Sequence, residues 1–280
     1  MLVTLREILK DTREKQYAVG LFNCVTLEMT RGILMAAEET RSPVIIGPAQ
    51  ILLSPASLED YCDMMLGMAK RCSVPVALHF DHGFGPGLVE KAIGLGFSSV
   101  MYDCSMLPME ENIRRTREMV KKAHEAGCSL EAEIGHVGSN DRSVGAQIAD
   151  SVYTDPQDAQ RFAEETGCDA LAVAIGTAHG VYETPPVLSF DALRRIRDLC
   201  PTPLVLHGGS GLSEADFRQC VKDGISKINI FTHNNLAAAR AAKECFTEKT
   251  GAFELMEAVE QAVKRETIHH IRIFGSDGKA

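Results

Sequence analysis

The chain has 280 residues, 45% of them hydrophobic, enough to bury a full core without staples. Its formal charge of −9, from 29 Lys and Arg against 38 Asp and Glu, argues against nucleic acid or an anionic membrane as the main partner. The nine cysteines stand singly with no C-x-x-C pair, which points to reduced buried thiols in a cytoplasmic protein and away from a thiolate metal site.

The first residues lack a basic segment followed by a long apolar stretch, so no signal peptide is expected. Positions 4–15 space Leu5, Ile8 and Leu9 on one helical face, with Thr4 and Glu7 able to form a capping box. A short apolar run at 17–22 ends at Asn23, and a helix fits 27–39. Positions 43–46 form a second apolar run, 58–70 a helix, and 75–80 a third run. The alternation continues with a helix at 87–94, a strand at 98–102 ending at Asp103, and a long amphipathic helix at 109–126 stopped by Gly127. A strand at 129–134 precedes a polar stretch at 135–151. Asp155 or Pro156 opens a helix to Thr166, followed by a strand at 170–175 and a helix at 191–199. A strand at 203–206 leads to a helix that Ser213 caps and that runs to Lys222. The last strand, 227–231, is followed by helical sequence to about Ile273. No apolar run approaches the ~20 residues that span a bilayer.

Continuous apolar runs alternating with helices imply a parallel sheet covered on both faces. Eight such units predict one domain over 1–280, a closed (β/α)8 TIM barrel with extra helices at its N- and C-terminal ends. In such barrels the functional groups sit at the C-terminal ends of the strands. Three apolar runs here finish with histidine followed by glycine, at His82, His179 and His207. If those ends share one mouth, the three imidazoles can hold a Zn2+ ion with a fourth position open, and Asp81 stands beside it. Asp81 and His82 cannot both face inward from a regular strand, so the strand is expected to have ended by His82. The other polar strand ends are Asn23, Asp103, Glu131 or Glu133, and Asn229. His79 reads as core packing, and His124, His136, His269 and His270 as surface residues. The turn from His207 through Gly208, Gly209, Ser210 and Gly211 to Ser213 offers backbone N–H groups with a helix start behind them, an anion site. Asn229, Thr232 and Gly180 can add donors to it.

Taken in order, Leu78-His-Phe-Asp-His-Gly83, Val100-Met-Tyr-Asp-Cys-Ser105, Glu131-Ala-Glu-Ile-Gly135, Ala174-Ile-Gly-Thr-Ala-His-Gly180, Leu204-Val-Leu-His-Gly-Gly-Ser-Gly211 and Lys227-Ile-Asn-Ile230 resemble the class II, zinc-dependent ketose-bisphosphate aldolases, which act on fructose- and tagatose-bisphosphate. The resemblance covers nearly the whole chain. It implies Zn2+ on His82, His179 and His207, with Asp81 as acid/base. It also implies that Gly180, Gly208, Gly209, Ser210 and the stretch Asn229, Ile230, Phe231, Thr232 hold the phosphate of dihydroxyacetone phosphate, with Asn23 also on the substrate and a monovalent cation nearby. Asp103 and Glu133 would supply an alternative position for the metal, and Asp141 falls where the family carries a glutamate that protonates the carbanion.

Three departures bear on the substrate. Glu183 stands where many fructose-bisphosphate enzymes have lysine, Phe231 where they have aspartate, and 47–51 lacks a serine. The resemblance implies a metal-dependent lyase of carbohydrate metabolism, working as a homodimer or homotetramer on a phosphorylated ketose. The competing expectations are an aldolase for another ketose phosphate, a different zinc phosphosugar enzyme, and a phosphosugar-binding barrel without catalysis.

Overall fold

The eight barrel strands are β1 (Val19–Asn23), β2 (Val44–Gly47), β3 (Val76–Gly83), β4 (Ser99–Tyr102), β5 (Ser129–Ile134), β6 (Ala170–Val173), β7 (Leu204–Leu206) and β8 (Ile225–Ile230). In the computed structural model they pair in parallel with their sequence neighbours, and β1 closes the ring on β8 through Val19 to Lys227 and Leu21 to Asn229. The chain is therefore a (β/α)8 TIM barrel, as the alternation of runs predicts. The structure describes residues 1–135, 153–177 and 186–280, with the backbone alone of 138–139 and 178–179.

The helices are α1 (Leu5–Leu9), α2 (Leu27–Thr40), α3 (Leu58–Arg71), α4 (Pro86–Leu95), α5 (Met109–Glu125), α6 (Pro156–Thr166), α7 (Phe190–Leu199), α8 (Glu214–Lys222), α9 (Thr232–Cys245) and α10 (Ala252–Phe274). Their apolar faces and the outward residues of the strands form one sheath, including Phe22, Ile46, Leu78, Phe80, Leu206 and Ile230. Inward residues form a second cluster, Val19, Leu21, Ile45, Ala77, Ala170, Ala172 and Val205, which packs against Leu5, Ile8 and Leu9 of α1. Helix α1 thus plugs the N-terminal end of the lumen, and its Thr4–Glu7 capping box is formed.

Two helix ends depart most from the sequence expectation. Helix α1 stops at Leu9 because the Thr12 hydroxyl donates to the Leu9 carbonyl at 2.7 Å and the chain turns there. The C-terminal helical sequence divides into α9 and α10 where Thr247 and Thr250 form their own turn, with the Thr250 hydroxyl donating to the Cys245 carbonyl at 2.9 Å. Among the described residues no helix is long and apolar enough to cross a membrane. A short parallel ladder joins Gly138–Ser139 to Ala178–His179 outside the barrel.

Candidate active site

Strand alternation explains most of the site and fails at one residue. On β3, Leu78 and Phe80 pack outward while His79 and Asp81 face the lumen, so His82 should point out. It does not, although the strand runs on through Gly83. His82 adopts φ +49°, and the β3–β4 register slips between Phe80 and Gly83. This bulge turns the imidazole back to the mouth, at a backbone cost on the order of 1–3 kcal/mol. Gly83 is required beside it, because a Cβ there would lie 2.8 Å from the Met101 carbonyl oxygen.

The His82 ring comes to 4.6 Å from the His207 ring, centroid to centroid, in an edge-on arrangement. Its Nδ1 is 3.1 Å from Asp103 Oδ2, and Asp103 is held in turn by the N–H and hydroxyl of Ser105. Asp81, 2% exposed, is gripped from both sides. The Asn23 carboxamide donates to Oδ2 at 3.1 Å, and the Asn229 carboxamide donates to Oδ1 and Oδ2 at 3.2 and 3.3 Å. Burial opposes ionisation of Asp81, but the charge of His82, the nearby His79 imidazole and the Lys227 ammonium hold it well below the usual carboxylate range.

His207 lies fully buried at the end of β7, with Nε2 2.8 Å from Glu131 Oε1 and Nδ1 3.2 Å from Glu133 Oε2. Glu131 and Glu133 are two apart on β5 and so share the inward face. Burial opposes the His207 charge, yet those two carboxylates push the imidazole up to about 10. Two buried carboxylates facing one imidazole concentrate negative charge of the kind that a divalent cation compensates in a metal site.

The donor chemistry fits such an ion. Single ligand atoms of Asp81, His82 and His207 lie within 4.8 Å of one another, as do those of His82, Asp103 and Glu133. Imidazole nitrogen with carboxylate oxygen suits Zn2+ and its first-row neighbours. The His179 side chain lies outside the described residues, as do Gly180, Asp141, His136 and Glu183.

The expected anion corner lies at the ends of β7 and β8. Gly208 takes φ +65° after His207, and Ser210 is buried. The start of α8 is capped by Ser213 and carries the Asp216 carboxylate in its capping box, which engages the Ser213 and Asp216 N–H groups. Among the described residues no side chain caps α9, whose N-cap is Phe231. Backbone N–H groups at the start of α9 are further helix-end donors. The Asn229 carboxamide is engaged by Asp81 and Lys227, and the Ile230 and Phe231 side chains pack with the sheath.

The sequence reading missed the support beneath. Lys227 is fully buried, with Nζ 2.8 Å from Glu131 Oε2 and 2.6 Å from Asn229 Oδ1. Its visible signal was a lysine inside an apolar strand, two residues before Asn229. His79, read as core packing, is buried but bonded in a polar layer: Nδ1 is 2.7 Å from Ser99 Oγ, and Nε2 is 3.7 Å from Asp81. His270, read as a surface residue, is 1% exposed, because α10 lays it on the sheath.

A family model described as fructose-bisphosphate aldolase class-II matches residues 3–279. The uncharacterized protein YdjI of Escherichia coli K12 is 44% identical over 280 residues, all of both chains. A crystal structure titled as the YdjI aldolase from that organism superimposes with a TM-score of 0.91 at 42% identity, covering 100% of each chain. The fructose-bisphosphate aldolase of Geobacillus stearothermophilus is 38% identical over 285 residues, covering 100% of this chain and 99% of that one.

Proposed function

The chain belongs to the class-II fructose-bisphosphate aldolase family and is a lyase, and from that membership and the strand-end cluster we propose a zinc-dependent, reversible cleavage of a ketose 1,6-bisphosphate of the fructose or tagatose type. The products are dihydroxyacetone phosphate and an aldehyde such as glyceraldehyde 3-phosphate. The observation that supports the reading most is Asp81, a buried carboxylate kept ionised within 4.8 Å of ligand atoms on two imidazoles.

Zn2+ on His82, His179 and His207, when bound, supplies a Lewis acid for the carbonyl and hydroxyl oxygens at C2 and C3 of the substrate. Asp81 accepts the proton of the C4 hydroxyl. The electron pair of the broken O–H bond then forms the C4=O bond of the aldehyde, and the C3–C4 pair moves onto the C2–C3 fragment as an enediolate. Asn23 and Asn229 aim the carboxylate by holding both of its oxygens. Asp141 returns a proton to C3, and Asp103 and Glu133 offer a second position for the cation. Gly180, Gly208, Gly209, Ser210 and the backbone of Asn229 to Thr232 hold the phosphate, with a monovalent cation beside it. Residues 1–280 act as one catalytic domain, in a cytoplasmic homodimer or homotetramer.

Phe231 favours a second reading within the same chemistry, cleavage of another ketose phosphate. Its ring joins the sheath where the family's fructose-bisphosphate enzymes carry an aspartate. A panel of fructose and tagatose bisphosphates with monophosphorylated and unphosphorylated ketoses, scored for triose phosphate release, tests both. Release from none of them would overturn the proposal, and release only from a monophosphate would select the second reading.

A further inference from the structure

We propose that His233, Glu266 and His270 form a second divalent-cation site, between α9 and α10 and behind the barrel wall, of the imidazole–carboxylate kind that takes Zn2+ or Co2+. It is independent of the catalytic reading. One ligand atom from each residue lies within 4.8 Å of the other two. His270 sits among Phe22, Phe217 and Phe274, all members of the outer sheath, so the cluster is separated from the lumen by strand β1.

The protons show why a cation fits. His270 Nδ1 is 2.9 Å from the Glu266 carbonyl oxygen, to which it donates, and this leaves Nε2 bare. That nitrogen is 3.0 Å from His233 Nδ1, so two imidazoles share a single proton across the gap. Burial favours the neutral form of both rings. An imidazole that donates its far N–H to a carbonyl is the usual outer support of a metal-bound histidine. Two nitrogens each ~2.05 Å from an ion and 3.0 Å apart subtend about 94°, and opening to the tetrahedral angle separates them by only ~0.3 Å. The ion takes the place of the shared proton, which moves to the other nitrogen of His233. No net charge need leave either ring.

The carboxylate comes from the same helix. Glu266 and His270 are four apart on α10 and share a face; Glu266 Oε1 stands 3.6 Å from the carbonyl-bound Nδ1 of that ring, so the carboxylate must turn about its own side-chain torsions to meet an ion on the Nε2 side. The Glu266 side chain is 32% exposed, while that of His270 is 2%, so the site has a buried floor and an open entrance for water as a fourth ligand. An ion there would tie the first turn of α9, next to Thr232, to α10.

The test is zinc counting on chelator-stripped protein equilibrated with micromolar free Zn2+. The full chain should hold two ions, the His82→Ala/His207→Ala variant one, and Glu266→Gln or His233→Ala should lose the other ion or bind it at least tenfold more weakly. Glu266→Gln keeps the backbone carbonyl that supports His270, so folding is preserved if His233→Ala fails to fold. Equal zinc content and affinity in Glu266→Gln and the unaltered chain would overturn the site. A single ion lost only with His82 and His207 would do so too. An unchanged count in the His82/His207 variant, with one ion lost on altering Glu266, would keep this site and sink the catalytic metal instead.

Discussion

The two halves of the lumen are built from the same strands and obey opposite rules. Toward the N-terminal end, Val19, Leu21, Ile45, Ala77 and Val205 meet the leucines of α1 in an apolar floor. Two residues further along the same strands, Ala77 gives way to His79 and Asp81, while β5 and β8 bring Glu131, Glu133, Lys227 and Asn229. The floor is stable because it excludes water. The layer above is ordered because buried charges must each find a partner. Holding the Lys227–Glu131 pair dry over an apolar plug keeps Asn229 and His207 in register, and through them Asp81.

Substitutions in the two halves should therefore fail in different ways. Asp81→Ala is expected to lower cleavage by about 10²–10⁴-fold while the metal content of the protein stays unchanged. Wild-type turnover in that variant would remove Asp81 from its role. Lys227→Met should be destabilising as well as inactivating, by about 3–5 kcal/mol, since it takes the ammonium from Glu131 Oε2 in the interior and leaves His207, already shared with Glu133, as that carboxylate's charged partner. Adding Glu131→Leu to it should recover part of the melting temperature without restoring activity. Both effects can be read from denaturant melts beside the cleavage assay, and a Lys227→Met protein as stable as wild type would show that the pair is not what orders the layer.

The floor should respond with stability alone. Leu9→Ala is expected to cost about 2–5 kcal/mol in urea unfolding and to leave kcat unchanged per folded molecule. A fall in kcat would mean the plug shapes the chemistry directly. Thr4→Ala, which removes the cap of α1, should cost about 0.5–2 kcal/mol. The Thr4 N–H and hydroxyl hold the Glu7 carboxylate below its usual range, so this contribution is present above about pH 4.5 and is lost as the pH falls through the lowered folded value. The variant keeps the backbone N–H at position 4 and loses the hydroxyl that also accepts from the Glu7 N–H, so the gap between the two melts should narrow in acid without closing, and a gap constant with pH would show that the hydroxyl acts without the Glu7 carboxylate.

Much of this was legible before any coordinates. Short apolar runs alternating with helical spacing can be satisfied by few folds, because buried parallel strands need helices on their outer face. Polar residues confined to the ends of those runs also stand out, since an interior that is otherwise apolar has no packing use for them. Asn23, Asp81, Asp103, Glu133 and His207 declared themselves in this way. Tertiary structure decided what depends on partners distant in the chain. Only the closed ring sets Lys227 against Glu131, 96 residues away. Only the β3 bulge turns His82 toward His207 against the alternation of its strand. Only the packing of α10 on the sheath buries His270 against His233. Local periodicity assigns a residue to a face, but the energy of a buried charge or imidazole depends on what the rest of the fold brings within a few ångströms of it.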